Sequence, residues 1–147
     1  MFLGQYRHQL DKKGRVTIPS RFRESLADGA FIFQGFDNNL LVMTPDSFEQ
    51  ITSRISHLSF TDPTARDLSR LLFSNAAHID IDGSGRMLIP PFLRESIGLE
   101  KEVVLVGTGS HFEVWAAEPW DRQAAKLNNP EANATRFAAI DISLGEL

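Results

Sequence analysis

Two short segments of this 147-residue chain bring together residue types that can do chemistry: Asp11-Lys12-Lys13-Gly14-Arg15 and Asp82-Gly83-Ser84-Gly85-Arg86. A carboxylate followed four residues later by a guanidinium, with glycine just before the arginine, has the composition of a tight turn. Asp can accept hydrogen bonds from backbone amides further along, and Gly supplies the positive φ that closes the turn. In the first segment two lysines occupy the tip, a position that presents charge to solvent. Together with Arg7 and Arg15 they form a set of cations suited to phosphate oxygens, and an arginine can also bond a guanine edge through two parallel contacts. The candidate DNA contacts are therefore Arg7, Lys12, Lys13, Arg15 and Arg86, with Lys12, Lys13 and Arg15 as the principal ones and Arg86 as a weaker or oligomer-facing candidate. Asp11, Gly14, Asp82 and Gly85 shape the turns. A purely structural reading of the same residues, Asp bonding the turn amides and Arg pairing with the carboxylate, stands beside it.

Total charge hides this set. Fifteen Lys and Arg against nineteen Asp and Glu give −4 overall, which taken alone argues against a nucleic-acid protein. Residues 7–23 hold six Lys and Arg against one Asp, a net +5, which leaves −9 for the other 130 residues; the matching window 78–94 is neutral. The absence of cysteine excludes disulfide frameworks, thiol nucleophiles and cysteine-ligated zinc. The N-terminal residues lack the apolar core of a secretory signal, and no run approaches the ~18 apolar residues of a membrane span. The expectation is a cytoplasmic protein with no membrane partner.

The two turns belong to a repeat. Residues 11–26 align without a gap to residues 82–97, at an offset of 71 and with eight of sixteen positions identical. The identities include Arg23 with Arg94 and Glu24 with Glu95, charged pairs at a helix start that are left out of the site. Each copy reads as strand, turn, strand, a short helical turn after Pro19 or Pro90, a second hairpin and a helix. Tyr6–Leu10 is expected to pair with Arg15–Ile18, and Ile79–Ile81 with Arg86–Ile89. The second hairpins turn at Asp37–Asn39 and at Gly107–Ser110. A helix from Pro45 has Thr44 as N-cap and Phe48, Ile51, Ile55 and Leu58 as its apolar stripe. Another begins near Pro63, capped by Thr61 or Asp62, and a third at Pro119 is the counterpart of the first. Beyond Leu127 the periodicity is lost, which reads as a tail or arm. A copy of about 50 residues is too small to bury a good core alone, so the copies are expected to pack as one pseudo-two-fold, barrel-like unit.

The paired Asp-x-x-x-Arg motifs, each leading into an apolar strand that ends in Ile-Pro, resemble those of the MraZ family of bacterial transcriptional regulators. The resemblance extends over nearly the whole chain, through the MF start, DKKGRVTIPSRFRE, RLLFSNA, DGSGRMLIPPFLRESIGL and KEVVLVGTGSHFEVW. It implies an α+β, mainly β fold: a duplicated AbrB-like, swapped-hairpin β-barrel unit with flanking helices. The corresponding division is 1–55 for the first repeat, 56–76 for a bridging helix region, 77–127 for the second repeat and 128–147 for the C-terminal tail or arm. It further implies ring-shaped homo-oligomers, nucleoid association, and binding of double-stranded DNA at short direct repeats in the protein's own promoter, upstream of division and cell-wall genes, as a repressor. The motif residues carried over are Asp11, Arg15, Asp82 and Arg86.

Competing chemistries fit less well. Asp80-Ile81-Asp82-Gly83-Ser84-Gly85 opens like a calcium loop, but its twelfth position is Pro91 where a bidentate Glu is needed. His111-Phe112-Glu113 lacks the cysteines of a zinc deaminase, and Gly107-Thr108-Gly109 lacks the third glycine of a dinucleotide fingerprint. His8, His57, His78 and His111 have no metal-ligand spacing. No cofactor, metal or enzymatic activity is expected. The alternative function is an AbrB-like protein-interaction module, an antitoxin or assembly factor whose arginines pair with an acidic partner.

Overall fold

The computed structural model describes residues 1–142, and the chain folds as two compact units, Met1–Ala117 and the part from Glu118 onward. The first unit contains β1 (Gln5–Gln9), β2 (Arg15–Thr17), α1 (Ser20–Arg23), β3 (Ala30–Gln34), β4 (Leu40–Met43), α2 (Pro45–Ser56), α3 (Pro63–Ser74), β5 (Ala77–Ile79), β6 (Arg86–Leu88), α4 (Pro91–Ser96), β7 (Glu102–Gly107) and β8 (Phe112–Ala116). Helices α5 (Ala117–Leu127) and α6 (Pro130–Phe137) follow. The architecture is α+β, built on two repeated units as the sequence implies.

The expected first hairpins form only next to their turns, where Ile81 makes an isolated antiparallel bridge to Met87 in the second copy. β1 pairs antiparallel with β7, and β5 with β3, so each leading strand joins the sheet of the other copy. β2 pairs with β6 instead of β1, making a separate two-stranded ribbon. The turns still close locally, with Gly14 N–H donating to Asp11 O and Gly85 N–H to Asp82 O, but the next bonds cross over: Ile18 N–H donates to Gly85 O at 2.9 Å and Ile89 N–H to Gly14 O at 3.0 Å. Strands of three residues, ended by proline, offer few ladder positions, and the other copy satisfies them with an identical pattern. Sequence periodicity cannot tell a neighbour from its duplicate.

The larger sheet runs β1-β7-β8-β4-β3-β5 and stays open, with β1 and β5 as its edges, so the expected barrel is not closed. The second hairpins pair within their own copies, β3 with β4 and β7 with β8, as expected. Two pairings mark the pseudo-two-fold axis. Val16 lies opposite Met87, its own equivalent at the 71-residue offset. Leu41 likewise lies opposite Glu113, its equivalent after the one inserted residue.

One core spans both copies. Val16, Ile18, Phe22, Ile32 and Leu40 pack with Met87, Ile89, Leu93, Leu105 and Phe112. Phe22 sits edge-on to Phe2 at 5.1 Å between ring centroids and lies 5.0 Å from Phe112, which ties the first helical turn and the N-terminus to the second copy's hairpin. On the opposite face of β3–β4 a second cluster joins Phe33, Met43, Phe48, Ile55 and Leu72. It forms because α2 and α3 are amphipathic, each with proline in its first turn and a side-chain cap, Thr44 accepting from Ser47 N–H and Asp62 from Thr64 N–H. Asp62, one of the two caps considered, fills that role. Leu58 falls outside the stripe, beyond the end of α2, and is exposed.

In the second unit, α5 starts two residues before Pro119, and α6 occupies part of the stretch expected to be aperiodic. The signal for α6 was a cap and not an apolar stripe: Asn129 accepts from Ala132 N–H at 3.0 Å, Pro130 stands at N1, and no residue of the helix is buried.

Candidate nucleic-acid interface

The two turns fold identically. Asp11 Oδ1 accepts from the amides of Lys13 and Arg15, both at 2.9 Å, and Oδ2 accepts from Arg15 Nε at 2.7 Å. Asp82 Oδ1 accepts from the amides of Ser84 and Arg86 at 2.9 Å, and Oδ2 from Arg86 Nε at 3.1 Å. The Arg15 backbone amide, followed by its guanidinium and the Lys13 amide, outweighs partial desolvation and lowers the Asp11 pKa to about 2. The Asp82 carboxyl is lowered in the same way, foremost by the Arg86 amide. The structural reading of Asp-x-x-x-Arg therefore holds in both copies. It does not consume the arginines: Nε makes the bond to the carboxylate, Arg86 Nη1 also faces Asp11, and each guanidinium has further N–H donors for another acceptor.

The axis brings the motifs together. Arg86 Nη1 lies 3.8 Å from Asp11 Oδ2, so Asp11, Arg15, Asp82 and Arg86 form one chain of charges across the outside of the ribbon. Arg7 stands apart on edge strand β1, ion-paired with Glu102 of β7 at 3.0 Å. Lys12 and Lys13 are exposed at the turn tip, and among the described residues neither ammonium has an ion-pair partner. The other turn carries Gly83 and Ser84 at the equivalent places. One end of the ribbon is basic and the other is not.

Arg23 and Arg94, the charged residues at the helix starts that the sequence leaves outside the site, contact both turns. Arg23 Nε donates to Ile18 O at 2.7 Å and Arg94 Nε to Ile89 O at 2.9 Å. Each guanidinium then lies across the glycine of the opposite copy's turn, Arg94 over Gly14 and Arg23 over Gly85, so closely that a Cβ on either glycine would overlap it. Those glycines have φ of +84° and +76°. Each copy thus braces the other's turn from behind. The clue was present in the repeat, since Arg23 and Arg94 are among its identical positions.

Among the described residues there is no group of three His, Cys, Asp or Glu placed to hold a metal, and no helix is long and apolar enough to cross a membrane.

Two interleaved hairpin units fused in one chain, with paired Asp–Arg turns on an exposed ribbon, define a duplicated swapped-hairpin protein. The chain belongs to the MraZ family: the family model, described as "MraZ protein, putative antitoxin-like", matches residues 1–71 and again 72–140. It is similar to the protein named "Transcriptional regulator MraZ" from Herpetosiphon aurantiacus, 42% identical over 120 residues covering 82% of this chain and 84% of the relative. Relatives of the same name from Roseiflexus castenholzii, 40% identical over 138 residues and 94% of each chain, and from Acetivibrio thermocellus, 38% identical over 143 residues, 97% of this chain and all of the relative, extend the likeness over nearly the full length.

Proposed function

We propose that this protein is a sequence-specific DNA-binding transcriptional regulator, acting in the cytoplasm on the nucleoid. In this reading it binds short direct repeats in its own promoter, upstream of division and cell-wall genes, and represses that operon as a ring-shaped homo-oligomer. Lys12, Lys13 and Arg15 are the principal contacts, Arg86 is a weaker or oligomer-facing one, Arg7 is a further contact from β1, and Asp11, Gly14, Asp82 and Gly85 hold the turns.

The observation that carries the reading is the hydrogen-bonded turn with two exposed lysines at its tip, on a ribbon narrow enough for the major groove. The names of the relatives point the same way. A single ribbon touches only a few base pairs, so several subunits on spaced repeats raise affinity through effective concentration. The test is a titration of a labelled promoter fragment, with repeats intact or scrambled, across a range of salt. Binding is expected to need the repeats and to weaken with a log–log slope near −0.9 for each phosphate neutralised; salt-insensitive or sequence-indifferent binding overturns the proposal.

A second reading, an interaction module whose arginines pair with an acidic protein partner, is favoured by the antitoxin-like description of the family. It gives no dependence on DNA repeats.

A further inference from the structure

The outer face of the β2–β6 ribbon holds one residue that charge does not explain. Strand alternation sends Val16 and Met87 inward, both 0% exposed, and leaves Arg15, Thr17, Arg86 and Leu88 outward. In this register Arg15 lies opposite Leu88 and Thr17 opposite Arg86. Leu88 is 47% exposed and stands among cations. Its equivalent in the first copy is Thr17, so the two-fold repeat places a small polar side chain at one end of the face and a larger apolar one at the other.

We infer that Leu88 reads the C5-methyl group of thymine in the major groove, an assignment that rests on the DNA-binding reading. A partner that covers Leu88 must at the same time accept Arg15 and Arg86 on the same face. An anionic groove displaying both acceptors and methyl groups meets both demands, because the thymine methyl is the apolar group that the major groove presents. Leu88 then adds recognition of thymine to the guanine that an arginine can read, whereas cations on phosphate position a protein without reading sequence.

The test titrates the DNA fragment upstream of the protein's own coding sequence in two forms, one with thymine and one with deoxyuridine throughout, against wild type, Leu88→Ala and Leu88→Met. Wild type is expected to bind the uracil form about fourfold more weakly per engaged site, the equivalent of ~0.8 kcal/mol for one buried methyl group. Leu88→Ala should lose the same factor on thymine DNA and nothing further on uracil DNA, and Leu88→Met should keep most of the preference. An equal loss for Leu88→Ala on both forms, no loss on either, or an altered subunit count by light scattering overturns the assignment, the last outcome marking Leu88 as a contact between copies. If wild type does not prefer the fragment to a random duplex, the DNA-binding reading itself fails, and that result is visible before any Leu88 variant is compared.

Discussion

The turns at Asp11–Gly14 and Asp82–Gly85 share the hydrogen bonds that shape them and differ at two residues that contribute to the turn through their backbone and not their side chains. Both carboxylates accept two backbone amides and one Nε, and both glycines lie under an arginine from the opposite copy. At the tips stand Lys12 and Lys13 in one copy, Gly83 and Ser84 in the other. Architecture and recognition are thus separable within one motif. The Asp-x-x-x-Arg pattern builds the same loop in both copies, and the tip side chains, which take no part in holding it, decide whether that loop is charged. Duplication keeps the scaffold symmetric because each half braces the other, while the tips are free to diverge.

The largest expected effects fall on the shared scaffold. Phe22 and Leu93 are equivalent positions and both are fully buried in the joint core. Phe22→Ala is expected to cost about 3–5 kcal/mol and Leu93→Ala about 2–5 kcal/mol, measured by denaturant unfolding. Because both side chains belong to one core, each variant should melt the whole first unit in a single transition. Two separated transitions would break the comparison at its root.

Next come the braced glycines. Gly14→Ala and Gly85→Ala are each expected to cost about 1–2 kcal/mol from the left-handed backbone alone, with more from displacing Arg94 or Arg23. The two losses should match if the copies brace each other equally. A thermal melt in which one substitution is neutral would show that only one brace matters.

Acid supplies a smaller effect with a definite sign. The Asp11 carboxyl titrates at about 2 in the folded protein against an ordinary 3.8, so its contribution to stability is present in full above the ordinary value and is lost as pH falls through the folded one. Asp82 acts in the same direction. Stability should therefore decline between roughly pH 4 and pH 2, and less steeply in Asp11→Asn or Asp82→Asn than in wild type; identical slopes in wild type and variants would mean the turn carboxylates do not contribute. The smallest effect is expected at the tips, where Lys12→Ala with Lys13→Ala should leave stability within about 0.5 kcal/mol of wild type.

Much of this could be read in the sequence, and what was missed has a common cause. The turns, the second hairpins and the cap at Thr44 depend on a few neighbouring residues, and local chemistry fixed them, while it left Thr61 and Asp62 as alternatives for the cap that Asp62 fills. The strand exchange was invisible to pairing rules because β2 and β6 carry matching patterns, so β1–β2 pairing and β2–β6 pairing look equally good along the chain. Arg23 and Arg94 were set aside for a similar reason: a charged residue at a helix start is ordinarily solvated, and only the fold brings each one over a glycine about 60 or more residues away in sequence. The lysine side chains at the tip stand out as candidate contacts in the sequence because they have no local structural use. Arg15 and Arg86 could not be divided between clamp and contact from sequence, and the geometry gives each a clamp through Nε with donors to spare.

The measurement that bears most directly on the separation of scaffold and charge is an exchange of the two tips. One variant carries Lys12→Gly with Lys13→Ser, and a second carries Gly83→Lys with Ser84→Lys, both checked for wild-type melting before promoter binding is titrated across salt. The first should bind more weakly, with a log–log salt slope shallower by about 1.8 for each turn engaged, and the second should bind more tightly with a steeper slope. Unchanged affinity and slope in a properly folded Lys12→Gly, Lys13→Ser protein would contradict a DNA-reading role for the basic turn.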